Sequence, residues 1–307
     1  MNESNASRQE SASAPSAIEH MRIDCGEVTL DCALAGQQGK PLVVLLHGFP
    51  ESWYSWRHQI PVLAEHFRVA VPSLRGYGNS DRPAEVGAYS MPRLTGDVRG
   101  LIRALGYEDA FVVGHDWGGG IAWAFAIDHP EACRKLVVCN CPHPAVFQQA
   151  LRSNLRQLLR SWYMFFFQIP RLPEWILTRN HLAALERGFR SMVVRKDREV
   201  FSDEDLIEMK RAFASPGAMT AAVNYYRAQF RNPSALQRYS LETRIHCPTL
   251  LIWAEDDVAL GKELTVGTDA LIAAPFAIRY VPHCSHWVQQ EQPEVVNEAL
   301  LAFLRPS

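Results

Sequence analysis

The 307-residue chain lacks an excess of either charge: 31 Lys and Arg stand against 33 Asp and Glu, a formal net charge of −2. It has no basic stripe, which argues against a nucleic-acid partner. It has no apolar run of about 18 residues, so no segment is expected to cross a membrane. Its seven cysteines are an odd number, with no C-x-x-C pair and no metal-like Cys/His spacing. That argues against a disulfide framework and a metal site, and favours a reduced, cytoplasmic setting. Residues 1–17, MNESNASRQESASAPSA, lack the apolar centre of a secretory signal and are expected to form a disordered tail. No internal repeat is found. What remains is a globular composition, 48% hydrophobic and 21% charged, with length for one large domain carrying an insertion.

Short apolar runs supply the strands. Val28, Leu30 and Cys32 alternate within Arg22–Ala35, and continuous runs follow at Pro41–Leu46, Phe67–Pro72, Phe111–Val113, Lys135–Asn140, Pro248–Trp253 and Phe276–Val281. Helical spacing appears over Trp53–His66, Met91–Leu105, Ile121–Ile127 and Pro293–Leu304. Strands alternating with helices predict an α/β fold around a mostly parallel sheet. Cys139 and Cys141 alternate on one such run and read as small apolar fillers. From Ala145 to about Arg238 the strand runs stop, and Phe147, Leu151, Leu155, Leu158 and Trp162 recur every three to four residues. The expected organisation is a tail at 1–19, a core at 20–144 and 239–307, and a helical lid at 145–238. Arg195–Glu199 reads as a solvated face. In the Gly-rich loop after Phe67–Pro72, Arg75 and Asp81 are the expected structural pair.

The stretch Ala110–Gly120, AFVVGHDWGGG, carries the sharpest signal. An apolar strand, a glycine-flanked turn and a helix-compatible run make a nucleophile elbow, usually G-x-S-x-G, here with Asp116 in the serine's place. A carboxylate there can attack carbon and form an ester. The tight turn His47-Gly-Phe-Pro50 can aim the Phe49 N–H at the elbow, and with the Trp117 N–H it would complete an oxyanion hole. Loops after two later runs supply an acid and a histidine. Asp257 is the first choice of acid, with Glu255 and Asp256 as fallbacks; His286 is the first choice of base, with His283 as competitor. A nucleophile, an acid and a histidine in that order suit an α/β-hydrolase.

Together, His47–Pro50, Arg75-Gly-Tyr-Gly-Asn-Ser-Asp81, Gly114-His-Asp-Trp-Gly118, Tyr163-Met-Phe-Phe-Phe-Gln168, Asn224-Tyr-Tyr-Arg227, Asp257 and Ser285-His-Trp287 resemble an α/β-hydrolase-fold epoxide hydrolase of the soluble type over about residues 20–305. The resemblance implies Asp116 as nucleophile, Asp257 and His286 as the charge pair, and Tyr163 and Tyr226 as lid tyrosines that protonate the epoxide oxygen. Tyr225 is assigned to packing. Expected substrate contacts are Trp117, Phe49, Phe167 and Trp287. The implied reaction opens an apolar epoxide to a vicinal diol through an ester on Asp116, with no metal or organic cofactor. A haloalkane dehalogenase shares the Asp elbow and following Trp, but Phe49 offers no side-chain halide donor. A binding protein that had lost turnover would lack one of these groups. The partner expected is a small epoxide, with neither nucleic acid nor membrane, and a homodimer through the lid is the candidate assembly.

Overall fold

The apolar runs fold as strands β1 (Glu19–Asp24), β2 (Thr29–Ala35), β3 (Leu42–Leu46), β4 (Arg68–Pro72), β5 (Ala110–His115), β6 (Cys133–Cys139), β7 (Thr249–Ala254) and β8 (Phe276–Val281). The computed structural model describes residues 18–231 and 236–305, so most of the expected tail lies outside the described residues, and Glu19 already begins β1. The strands form one sheet in the order β1-β2-β4-β3-β5-β6-β7-β8. β2 is antiparallel to both β1 and β4, and every pair from β4 to β8 is parallel. The chain is therefore α/β, as its alternating pattern predicts.

Every residue of β3, β5 and β7 is buried, the pattern of parallel strands covered on both faces. Alternate side chains feed two cores. Val43, Leu45, Phe111 and Val113 meet α1 (Ile60–Ala64) and the C-terminal helix on one face. Leu42, Val44, Leu46 and Val112 meet α2 (Met91–Ala104) and α3 (Trp117–Asp128) on the other. Fully burying each such side chain contributes roughly 1.5–3 kcal/mol.

Among the described residues, the segment between β6 and β7 is helical: α4 (Pro144–Ser153), α5 (Leu155–Arg160), α6 (Trp162–Phe166), α7 (Leu172–Met192, interrupted at Arg179–Leu182), α8 (Asp203–Arg211) and α9 (Ala218–Arg231). After β8 come α10 (Val288–Glu291) and α11 (Pro293–Leu304). Three local expectations need correction. Trp53–His66 is not one helix. A 3-10 turn at Trp53–Trp56 precedes α1, because Pro61 has no N–H to continue an earlier helix and instead sits in the first turn of a new one. Arg75 does not pair with Asp81. It lies buried and grips both oxygens of Asp97 (2.6 and 2.5 Å), while Asp81 takes the Thr29 N–H and Arg22. Nor is Arg195–Glu199 only a solvated face. The Arg195 N–H donates to Glu291 (2.6 Å) and Arg198 reaches Glu294 (3.1 Å), which straps the helical segment to α10 and α11.

Candidate active site

Because β3, β5, β6, β7 and β8 run parallel, the loops at their carboxyl ends gather on one edge, where ligands bind in open α/β sheets. The β5–α3 turn is the tightest. A Cβ on Gly114 would lie 2.1 Å from Gly118 O, and one on Gly118 would lie 2.1 Å from Leu46 O, so strand and helix meet only with glycine at both positions. Between them Asp116 is held at φ 50°, ψ −119°, outside the regions ordinary residues favour. Such a backbone costs about 1–3 kcal/mol and persists only when its surroundings impose it.

The β3 loop is imposed in turn. Leu74 N–H donates to His47 Nε2 (3.0 Å), which leaves Nδ1 to donate to Gly48 O (2.9 Å). Burial pushes His47 down to about 4, so the ring is neutral and this tautomer is available. With the Gly48 carbonyl anchored on one side of a planar peptide, the Phe49 N–H points the other way. It donates to Asp116 Oδ1 at 2.8 Å. Trp117 opens α3, so its N–H is one of the first-turn donors that have no partner within the helix.

On the other side of Asp116, His286 Nε2 stands 3.5 Å from Oδ2, and His286 Nδ1 lies 2.7 Å from Asp257 Oδ2. Asp257 also accepts from Asn140 Nδ2 (2.8 Å) and from the N–H groups of Ala259 (2.8 Å) and Leu260 (3.0 Å). Burial alone would raise Asp257, and His286, Asn140 and the Leu260 N–H outweigh it and hold it low. Burial likewise opposes Asp116 ionisation, and the bond to His286 and its charge reverse the sign. The two carboxylates overcome burial at His286 and raise it well above the ordinary imidazole range. The two carboxylates thus favour the protonated form of His286 between them. The alternatives fall away: Glu255 is tied to Lys262, and Asp256 and His283 face solvent.

A cavity of about 600 Å³ opens over this edge, lined by Asp116, Trp117, Tyr163 and Tyr226 and, farther out, by Phe147, Leu151 and Phe230. The Tyr163 and Tyr226 rings lie 5.9 Å apart, and Tyr226 meets Trp117 edge-on at 4.8 Å. Burial first, then the charge of Asp116, raises both phenols, so each keeps its proton. Tyr225 points away and donates to Arg75 O (2.8 Å). Cys139 is core, whereas Cys141 lines the cavity. Of the four expected substrate contacts, only Trp117 is in this lining. Phe49 and Phe167 instead pack edge-on against Tyr226. Trp287 packs edge-on against the His286 ring (5.0 Å) and 4.8 Å from Phe189.

Three further residues brace the site and were not singled out from the sequence. Glu51 is fully buried and accepts from Gly48 N–H (2.9 Å), Gln289 (2.9 Å) and Gln290 (2.8 Å). His115 bridges Glu51 (2.8 Å) and the His286 carbonyl (2.8 Å); both partners are acceptors, so both ring nitrogens donate. Asn140 holds Asp257. The available signal was a polar side chain inside or just after an apolar strand run, where it must find a partner. Among the described residues, no group of three or more His, Cys, Asp or Glu side chains is arranged to hold a metal.

A model of the α/β hydrolase fold matches residues 41–293. The chain belongs to that family. Within the α/β hydrolases it is 40% identical to epoxide hydrolase 4 of Mus musculus over 289 residues, covering 93% of this chain and 79% of that protein. Among solved structures, epoxide hydrolase A from Mycobacterium thermoresistibile superposes with a TM-score of 0.84 at 29% identity, over 94% of this chain and 98% of that one. The epoxide hydrolase of Bacillus megaterium, solved with an inhibitor, gives 0.83 at 30% identity, over 93% and 99%. Among the described residues no helix is long and apolar enough to cross a membrane.

Proposed function

We propose that the protein is an epoxide hydrolase that works through an alkyl ester on Asp116. One observation carries the reading: an ionised carboxylate and two protonated phenols line the same apolar cavity, with His286 3.5 Å behind the carboxylate. The helices of Pro144–Arg231 act as the lid that brings the phenols there. An epoxide carbon is electrophilic, but opening the ring expels an alkoxide, which needs a proton. Asp116 attacks the carbon as its bond to the ring oxygen breaks, and that oxygen takes a proton from Tyr163 or Tyr226. The phenolate recovers its proton from the His286 imidazolium through water. Esterification removes one of the two charges that raised His286, so the imidazole is now free to act as a base.

Neutral His286 then takes a proton from water, and the hydroxide adds to the Asp116 carboxyl carbon. The Phe49 and Trp117 N–H groups receive the charge that develops on the oxygen, an effect of about 3–4 kcal/mol per donor in comparable sites. Collapse releases the diol and restores the carboxylate and the imidazolium. Asp257 stays ionised throughout and keeps His286 oriented. A serine at position 116 would form an ether that water does not readily cleave, which accounts for the carboxylate.

The test is a single turnover of styrene oxide with excess enzyme in heavy-oxygen water. The expected result is diol with the label in the Asp116 peptide. Label in the diol and none in Asp116 would mean direct attack by water and would overturn the ester route.

A further inference from the structure

The outer face of the inserted helices is built inside out. On α5 and the turn after it, Gln157 and Ser161 are fully buried, while Leu155, Leu159 and Trp162 are 69%, 64% and 63% exposed. Gln157 Nε2 donates to Ser161 Oγ (3.0 Å) and Ala259 O (2.9 Å), and Gly261 N–H donates to Gln157 Oε1 (3.1 Å). The polar side is therefore fixed to the loop after β7, and the apolar side is fixed towards solvent. Phe165 on α6 (47%), Ile169 in the turn after it (44%) and Trp175 on α7 (56%) are exposed as well. Single exposed apolar residues are ordinary on a protein surface; a concentration of them in one segment marks a contact surface.

Charge identifies what the surface contacts. Residues 145–179 contain five arginines and a single acidic residue, Glu174, in a chain whose net charge is negative. Glu174 is turned inward and held by Arg227 (2.6 and 3.1 Å). Arg152, Arg156 and Arg171 are exposed and meet no carboxylate among the described residues. The Arg179 guanidinium lies 4.3 Å over the Trp175 ring.

We propose that this face docks on an anionic phospholipid surface. Trp162, Leu159 and Phe165 would enter the boundary between headgroups and acyl chains, and the arginines would meet the lipid phosphates. Docking of this kind needs no membrane-spanning segment. A second copy of the chain fits less well. A two-fold dimer sets the same patch against itself, and here that opposes Arg152, Arg156 and Arg171 of both copies, which meet no carboxylate among the described residues. Phe230 links the patch to the cavity: it lines the cavity, is 38% exposed and has its ring 5.4 Å from Phe165. An apolar epoxide dissolved in lipid would thus enter beside Phe230. That delivery step rests on the function proposed above; the docking does not.

The test is flotation of the whole protein with vesicles of phosphatidylglycerol and phosphatidylcholine in equal parts, against phosphatidylcholine alone. Binding is expected to the mixed vesicles only and to weaken with added salt. Leu159→Ser with Trp162→Ser should abolish it, and Arg156→Glu or Arg171→Glu should weaken it roughly fivefold or more per charge. All these variants should keep the circular dichroism and the styrene oxide turnover of the parent. Binding by a protein that forms no diol would leave the docking intact and overturn only the epoxide reading. No binding to either vesicle, variants that bind like the parent, or a stable dimer dissolved by Trp162→Ser would each overturn the docking.

Discussion

The carboxyl edge of the sheet and the outer face of the inserted helices follow opposite rules of burial. At the sheet edge, Glu51, His115, Asp257 and His286 are buried, and each is hydrogen-bonded to partners on other loops. On the inserted helices, Gln157 is the buried residue of α5 and two leucines on the same helix face water. Polar burial at the edge aims chemistry at one point and carries an energetic cost unless every group is paired. Polar burial on α5 serves another end, since it leaves an apolar face free. Burial in the first region follows from loops gathered at one sheet edge, and in the second from what the helices have on each side.

Substitutions at the two faces should separate these rules, with the largest effect at the edge. His286→Gln keeps a polar side chain but removes the base, and diol turnover should fall on the order of 10⁴-fold or more. Asp116 should still attack, so the protein mass should rise by one epoxide and stay there. A variant that turns over slowly without that adduct would mean His286 is not the hydrolytic base. Glu51→Ala comes next. It leaves His115, Gln289, Gln290 and the Gly48 N–H without their acceptor, and unfolding in urea should report a loss of about 3–5 kcal/mol. Burial opposes the Glu51 charge, but His115 outweighs it and lowers its pKa below the ordinary glutamate value. Its ionisation therefore contributes stability above about pH 4.3, and that contribution is lost as pH falls through the lower folded value. The gap between parent and variant should close in acid. A gap that stays constant with pH would mean that the ion pair contributes nothing.

Much of the sheet edge can be read from sequence because its constraints are local. Continuous apolar runs identify β3, β5 and β7, and glycines at 114 and 118 betray the close approach at the elbow. The turn at His47–Pro50 and the loops around Asp257 and His286 follow strand ends, so parallel order alone brings them to one edge. What stays hidden depends on distant partners. Arg75 meets Asp97 rather than the nearby Asp81, and Arg198 reaches Glu294. Glu51 and His115 differ from ordinary polar residues only through groups far along the chain. Trp287 lies between the His286 ring and Phe189 of the inserted helices, a packing role that only the folded chain reveals. On α5, periodicity reveals a stripe but not which side of the helix is covered.

That ambiguity gives the smallest predicted effect and the sharpest contrast, between two residues of one helix turn. By hydrophobicity alone, Leu159 should matter to folding and Gln157 should not. The structure reverses the order. Gln157→Leu removes three hydrogen bonds and leaves Ala259 O and Gly261 N–H without their partner, a loss of about 1–3 kcal/mol in urea unfolding. Leu159→Ser touches a side chain already 64% exposed and should stay within about 0.5 kcal/mol of the parent. A loss of 2 kcal/mol or more at Leu159, of the size expected for core leucines, would mean that the leucine is packed within the protein itself. A neutral result would leave Leu159 free for an external partner, which is the condition the docking face requires.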